Sequence, residues 1–122
     1  GGKEVKLLFN IVPESAVYLG HRDIESITQT TVFATLPDAL CVSGLTAGAS
    51  TDTQVLTRVK AAASGVPVIV NTGLRASNAA EQLEIADGAV IGTFFKKDGV
   101  FENEAEKSRV VELMDVVREL RK

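Results

Sequence analysis

Val66-Pro67-Val68-Ile69-Val70-Asn71-Thr72-Gly73 is a short apolar run that ends in two polar residues and a glycine. It is rich in β-branched residues, and polar positions do not alternate with apolar ones. Strands with one wet face alternate, whereas strands covered on both faces read as continuous apolar runs. The stretch therefore predicts a buried strand of a parallel sheet. Just upstream, Asp52 is placed to cap a helix whose Val55, Leu56, Val59, Ala62 and Ala63 form one apolar stripe, ended by Ser64-Gly65. Downstream, Ser77 is placed to cap a shorter helix, with Ala80 and Leu83 directed inward.

The same unit recurs on both sides of this centre. Val5 to Val12, stopped by Pro13, reads as a strand, as do Ala39 to Ser43, ending at Gly44, and Gly88 to Gly92. A helix is predicted from Asp23 to about Leu36, with Ile24, Ile27 and Leu36 inward. Another is predicted after Asn103, with Glu106 completing a capping box and Val110, Leu113, Met114, Val117 and Leu120 as its buried stripe. Four β/α units in strict alternation imply parallel strands joined by right-handed crossovers. Two architectures fit this order. One is a small doubly wound, flavodoxin-like sheet that stands alone. The other is half of a (β/α)8 barrel, whose eight units take about 250 residues.

Composition narrows the classes. The chain has 122 residues, 45% hydrophobic and 24% charged, which suffices for one packed core. A formal charge of −3 carries no basic excess, so no nucleic-acid partner is expected. Apolar runs fall far short of the roughly 18 residues of a membrane span. Gly1-Gly2-Lys3-Glu4 lacks the apolar core of a signal peptide. With a single cysteine there is no internal disulfide, and a cytoplasmic location is expected. Cys41, between apolar neighbours, reads as a buried, inert thiol. His21 has no histidine or cysteine companion, so neither a metal site nor a cofactor is expected.

Polar and small residues collect after the strands. They are Asn10 and Glu14, then Ser43-Gly44-Leu45-Thr46-Ala47-Gly48, then Asn71-Thr72-Gly73, then Gly92-Thr93. Ligands of parallel α/β folds bind at that edge, where loops and helix N-termini converge. Backbone N–H groups of the Asn71-Thr72-Gly73 and Gly92-Thr93 loops suit a phosphate or carboxylate, although turn chemistry explains both glycines equally well. Ser43 and Gly44 belong to a small, polar loop that lacks the Gly-Lys-Ser/Thr of a P-loop. Glu14 is a candidate general base or hydroxyl anchor. Lys96 opens a charged turn, Lys96-Lys97-Asp98-Gly99, close enough to the fourth strand to reach an anion. Asp38 and Asp87 precede strands and read as structural residues of the opposite face.

The segments Pro37 to Gly48, Val68 to Gly73 with Asn78, Ala86 to Gly99, and Arg109-Val110 resemble the BtpA family, in order along nearly the whole chain. Asn10-Ile11-Val12-Pro13-Glu14 is closer to its SgcQ-like branch. The resemblance implies a TIM barrel of the ribulose-phosphate-binding type, of which residues 1–122 would be the C-terminal (β/α)4 half, strands five to eight. It maps a phosphate-type site onto Asn71, Thr72, Gly73, Gly92 and Thr93. The expected function is binding of a small phosphorylated molecule of sugar-phosphate type. The alternatives are a non-catalytic assembly or regulatory role, as in photosystem I biogenesis, and an inactive fragment of a longer barrel. A half barrel exposes two strand edges, so a second copy or the complementary N-terminal half is the expected partner. Loss of anion binding in Gly73→Val and Gly92→Val variants would distinguish the ligand-binding reading.

Overall fold

The computed structural model describes residues 1–122. Its elements run β1 (Leu8–Val12), α1 (Ile24–Thr35), β2 (Ala39–Val42), α2 (Thr53–Ala62), β3 (Val68–Val70), α3 (Ala79–Ile85), β4 (Gly88–Ala89) and α4 (Lys107–Leu120). The four strands form one sheet in the order β1-β2-β3-β4, and every pair is parallel. Each new strand is added on the same side of the previous one. With right-handed crossovers that order winds every helix onto one face, whereas a doubly wound sheet reverses direction at a switch point. The flavodoxin-like alternative is therefore excluded, and the sheet is of TIM-barrel type.

The strand registers sort the side chains. Leu8, Ala39, Cys41, Ile69 and Gly88 share one face by pairing, while Phe9, Leu40, Val42, Val68, Val70 and Ala89 share the other. The second set packs with Leu56, Val59 and Ala63 of the α2 segment, and with Leu113 and Val117 of α4, in one continuous core. The first set lines what would be a barrel interior. Cys41 is buried there, and burial pushes its thiol pKa up, as expected for an inert cysteine.

Asp23 and Asp52 cap α1 and α2 as predicted, accepting from the Ser26 N–H and from the Gln54 and Val55 N–H groups. Other sequence expectations are corrected. Leu36 does not face inward; it takes a left-handed cap conformation after α1 and is 82% exposed. Ser77 does not cap α3. The cap position falls on Asn78, whose side chain is turned back into the preceding loop, so Ala79 and Gln82 face inward instead of Ala80. Asn103 does not cap α4, because its amide donates to the Lys97 carbonyl (3.0 Å) and closes a hairpin. In that hairpin Lys96 bridges to Ala105, with the Asp98-Gly99 turn at its tip, and α4 starts only after Glu106.

At the N-terminal edge of the sheet two aspartates tie neighbouring strands together. Asp38 accepts from the Leu7 N–H (2.8 Å) and Lys6 Nζ (2.9 Å), and Asp87 accepts from Lys60 Nζ (2.6 Å) and the Val68 N–H (2.7 Å). The lysine bond and then the amide bond lower the Asp87 pKa, and the Leu7 amide and then Lys6 lower that of Asp38. A carboxyl whose folded pKa lies below its unfolded value stabilises the fold above about pH 4 and loses that contribution as pH falls through the lowered value. Asp87→Asn should cost about 1 kcal/mol at neutral pH, where it removes a charge-assisted bond. The difference from the parent chain should shrink in urea titrations below about pH 4.

Candidate functional site

The loops after β2, β3 and β4 are packed into one another before any ligand is considered. Thr72 Oγ1 accepts from the Gly44 N–H (2.6 Å) and donates to the Ala49 carbonyl (2.8 Å). Gly73 sits at φ +69°, and a Cβ there would fall on the Ala49 backbone. Gly48, at φ +78°, lies against the Thr93 side chain, so the β2 loop also touches the β4 loop. Side chains larger than hydrogen are excluded from Gly73 by both backbone conformation and space.

Beneath this loop layer is a row of polar side chains at the strand ends. Ser43 Oγ accepts from the Asn71 amide (3.0 Å) and bonds the Asn10 amide, linking β1, β2 and β3. Turning the Asn10 amide lets its nitrogen donate to the Val12 (2.9 Å) and Cys41 (3.1 Å) carbonyls while its oxygen accepts from Ser43. Ser43 is only 4% exposed, so its hydroxyl serves this row.

A cleft of about 380 Å³ opens between the β3 and β4 loops. It gathers six of the residues selected from sequence, namely Glu14, Asn71, Thr72, Gly73, Gly92 and Thr93. The Thr72 hydroxyl is already engaged within the loops, and a Cβ at Gly92 would meet nothing within 4 Å. Ser43 and Gly44 line a neighbouring groove of about 1100 Å³ with Asp52 and Glu81. Gln82, 2% exposed in that groove's wall, donates to the Thr51 carbonyl, and its Oε1 has no protein partner. Asn10 and Lys96 line neither space.

The cations of the cleft are Arg75 and Arg109, which strand-end reading did not select. Arg75 follows Gly73 by two residues, and its guanidinium donates to Ser50 Oγ (2.8 Å). Arg109 lies in the first turn of α4, which folds back over the β4 loop. Its guanidinium stacks 4.6 Å from the Phe94 ring centre, and Nε donates to the Phe94 carbonyl (2.5 Å). That stacking holds a rigid, planar cation against Phe94, with Nη2 beside the Gly99 turn.

The BtpA family profile matches residues 2–119. The chain belongs to the BtpA family. It is 57% identical over 122 residues to the sgc region protein SgcQ of Escherichia coli, covering all of this chain and 46% of SgcQ. It is 37% identical over 118 residues to a protein of Thermococcus kodakarensis, covering 97% of this chain and 44% of that one. The photosystem I biogenesis protein BtpA of Synechocystis is 22% identical over 116 residues, covering 95% and 40%. The chain thus spans under half the length of these relatives. In fold it matches N-(5'-phosphoribosyl)anthranilate isomerase from Pyrococcus furiosus with a TM-score of 0.57 and 18% identity, covering 92% of this chain and 49% of that one. This BtpA-family chain therefore has the fold of part of a TIM barrel. No helix in it is long and apolar enough to cross a membrane.

Thr72→Val should destabilise the chain by about 1–3 kcal/mol, because it leaves the Gly44 N–H without its partner and releases the Ala49 carbonyl. Denaturant unfolding measures this. Gly73→Val should perturb folding itself, so it does not isolate ligand binding.

Proposed function

We propose that residues 1–122 are strands five to eight of a (β/α)8 barrel, and that the cleft between the β3 and β4 loops binds the anionic group of a small phosphorylated molecule of sugar-phosphate type. One observation carries this reading: Gly73, Gly92, Arg75 and Arg109 line one cleft at the C-terminal ends of adjacent strands. Barrel enzymes often bind phosphate with the loops after strands seven and eight, which are the places of β3 and β4 in this numbering of units. Peptide N–H groups and guanidiniums are the donors that such an anion needs. Glu14 lies in the same cleft, as the carboxylate placed to accept a substrate proton or hydroxyl. A barrel's chemistry draws on loops from all eight strands, so the reaction belongs to the longer protein.

A second reading is an assembly role, favoured by the similarity to the photosystem I biogenesis protein BtpA. It keeps the barrel and uses the surface, and it requires no anion in the cleft.

Calorimetric titration with inorganic phosphate and with ribose 5-phosphate separates the two. Saturable binding at millimolar or lower concentration is expected. Gly92→Val, which fills open space, should abolish it with thermal unfolding unchanged. Arg109→Ala should weaken it about tenfold or more, the size of one lost charge-assisted bond. Absence of binding by the folded chain, or equal binding by both variants, would overturn the cleft assignment.

A further inference from the structure

We propose that Ser50 is a positioning residue of the cleft: it lies outside the cleft, in the loop after β2, and holds the Arg75 guanidinium in the orientation that an anion needs. The inference rests on the reading of the cleft as an anion site, and it adds a residue that sets how tightly that site binds.

Arg75 is an exposed residue of the loop after β3. A long, free side chain loses rotamer entropy when a ligand fixes it, and that loss weakens binding. Arg75 is not left free. Its backbone N–H donates to Asn78 Oδ1 (2.8 Å), and its carbonyl accepts from the Asn78 N–H (3.1 Å). At the other end of the side chain, Nη2 donates to Ser50 Oγ (2.8 Å). Asn78 Nδ2 donates to the same Oγ (3.3 Å) and to the Gly73 carbonyl (3.1 Å). Arg75 is thus held at its backbone by Asn78 and at its guanidinium by Ser50, and Asn78 ties both to Gly73. The other side-chain N–H groups of Arg75 have no protein partner, so they remain for a ligand.

Ser50 is a firm anchor because the residues on both sides of it are fixed. The Ala49 carbonyl accepts from Thr72 Oγ1 (2.8 Å), and the Ala49 backbone fills the space beside Gly73. Thr51 is 3% exposed, and its hydroxyl bonds the Val42 (3.2 Å) and Thr72 (3.3 Å) carbonyls. Asp52 then caps α2. Ser50 itself is exposed, so truncating it opens no cavity in the core. Arg75 lines the cleft, whereas Ser50 and Asn78 border the neighbouring groove. The effect of Ser50 on an anion in the cleft therefore passes through the guanidinium. A planar fork anchored in advance has less orientational freedom to lose on binding.

Calorimetric titration of inorganic phosphate into the full protein that carries residues 1–122 tests this. Ser50→Ala should weaken binding about fivefold, with the thermal unfolding midpoint shifted by less than about 2 °C. Ser50→Thr, which keeps an Oγ, should restore the affinity to within about twofold. In an Arg75→Ala background Ser50→Ala should have no further effect, because no guanidinium is left to position. Absence of phosphate binding by the parent protein would overturn the anion reading of the cleft, and the role of Ser50 with it. Binding by the parent that Ser50→Ala leaves unchanged or strengthens would overturn only the role of Ser50. So would an equal loss on Ser50→Ala with and without Arg75, which marks a loop effect that bypasses the guanidinium.

Discussion

All four helices lie on one face of a sheet whose strands are added in a single direction, and the remaining features follow from that constraint. Leu40, Val42, Val68 and Val70 are sealed under the helices, whereas the opposite face is lined by Leu8, Ala39, Cys41, Ile69 and Gly88. A sheet of this winding has no second helical layer to cover that face. It curves toward closure, and its inner side chains find partners only across a barrel interior. Leu8 and Val90 at the two ends of the sheet, and Phe33 and Leu36 on the first helix, are exposed.

The two ends of the strands divide their work as the winding dictates. At the N-terminal end, Asp38 and Asp87 clamp the start of one strand to its neighbour through amide and lysine bonds, which contribute to stability. At the C-terminal end, successive loops lean on each other through Thr72, Gly73 and Gly48, and the cleft opens where that layer ends. The glycines have distinct roles within it. Gly73 is required by the fold, since the Ala49 backbone occupies the space of any side chain. Gly92 borders open space, and the fold does not require a glycine there for want of room.

Reading the strand ends located much of the cleft. Glu14, Asn71, Thr72, Gly73, Gly92 and Thr93 come together there because every parallel strand delivers its C-terminal loop to one rim. The same reading passed over Arg109, which reaches the rim from a helix by folding back on Phe94. It also selected Lys96, whose backbone is held in a hairpin with Ala105 and which lines neither cleft. Ser43 and Asn10 both fall at the strand ends in the sequence, and the structure engages them with each other across two strands.

What the residues determined by themselves was local: four strands, the helices between them, the Asp23 and Asp52 caps, and the family to which their order belongs. These follow from apolar periodicity and side-chain chemistry over a few neighbouring positions, which act without regard to the rest of the chain. The tertiary structure alone decided between a doubly wound sheet and a barrel arc, because both are built from the same β/α units and differ only in which edge each strand joins. It also decided which polar groups the protein itself engages. A hydroxyl such as that of Thr72 is a donor in the sequence, but the Gly44 amide and Ala49 carbonyl, 28 and 23 residues away, claim it once the loops pack.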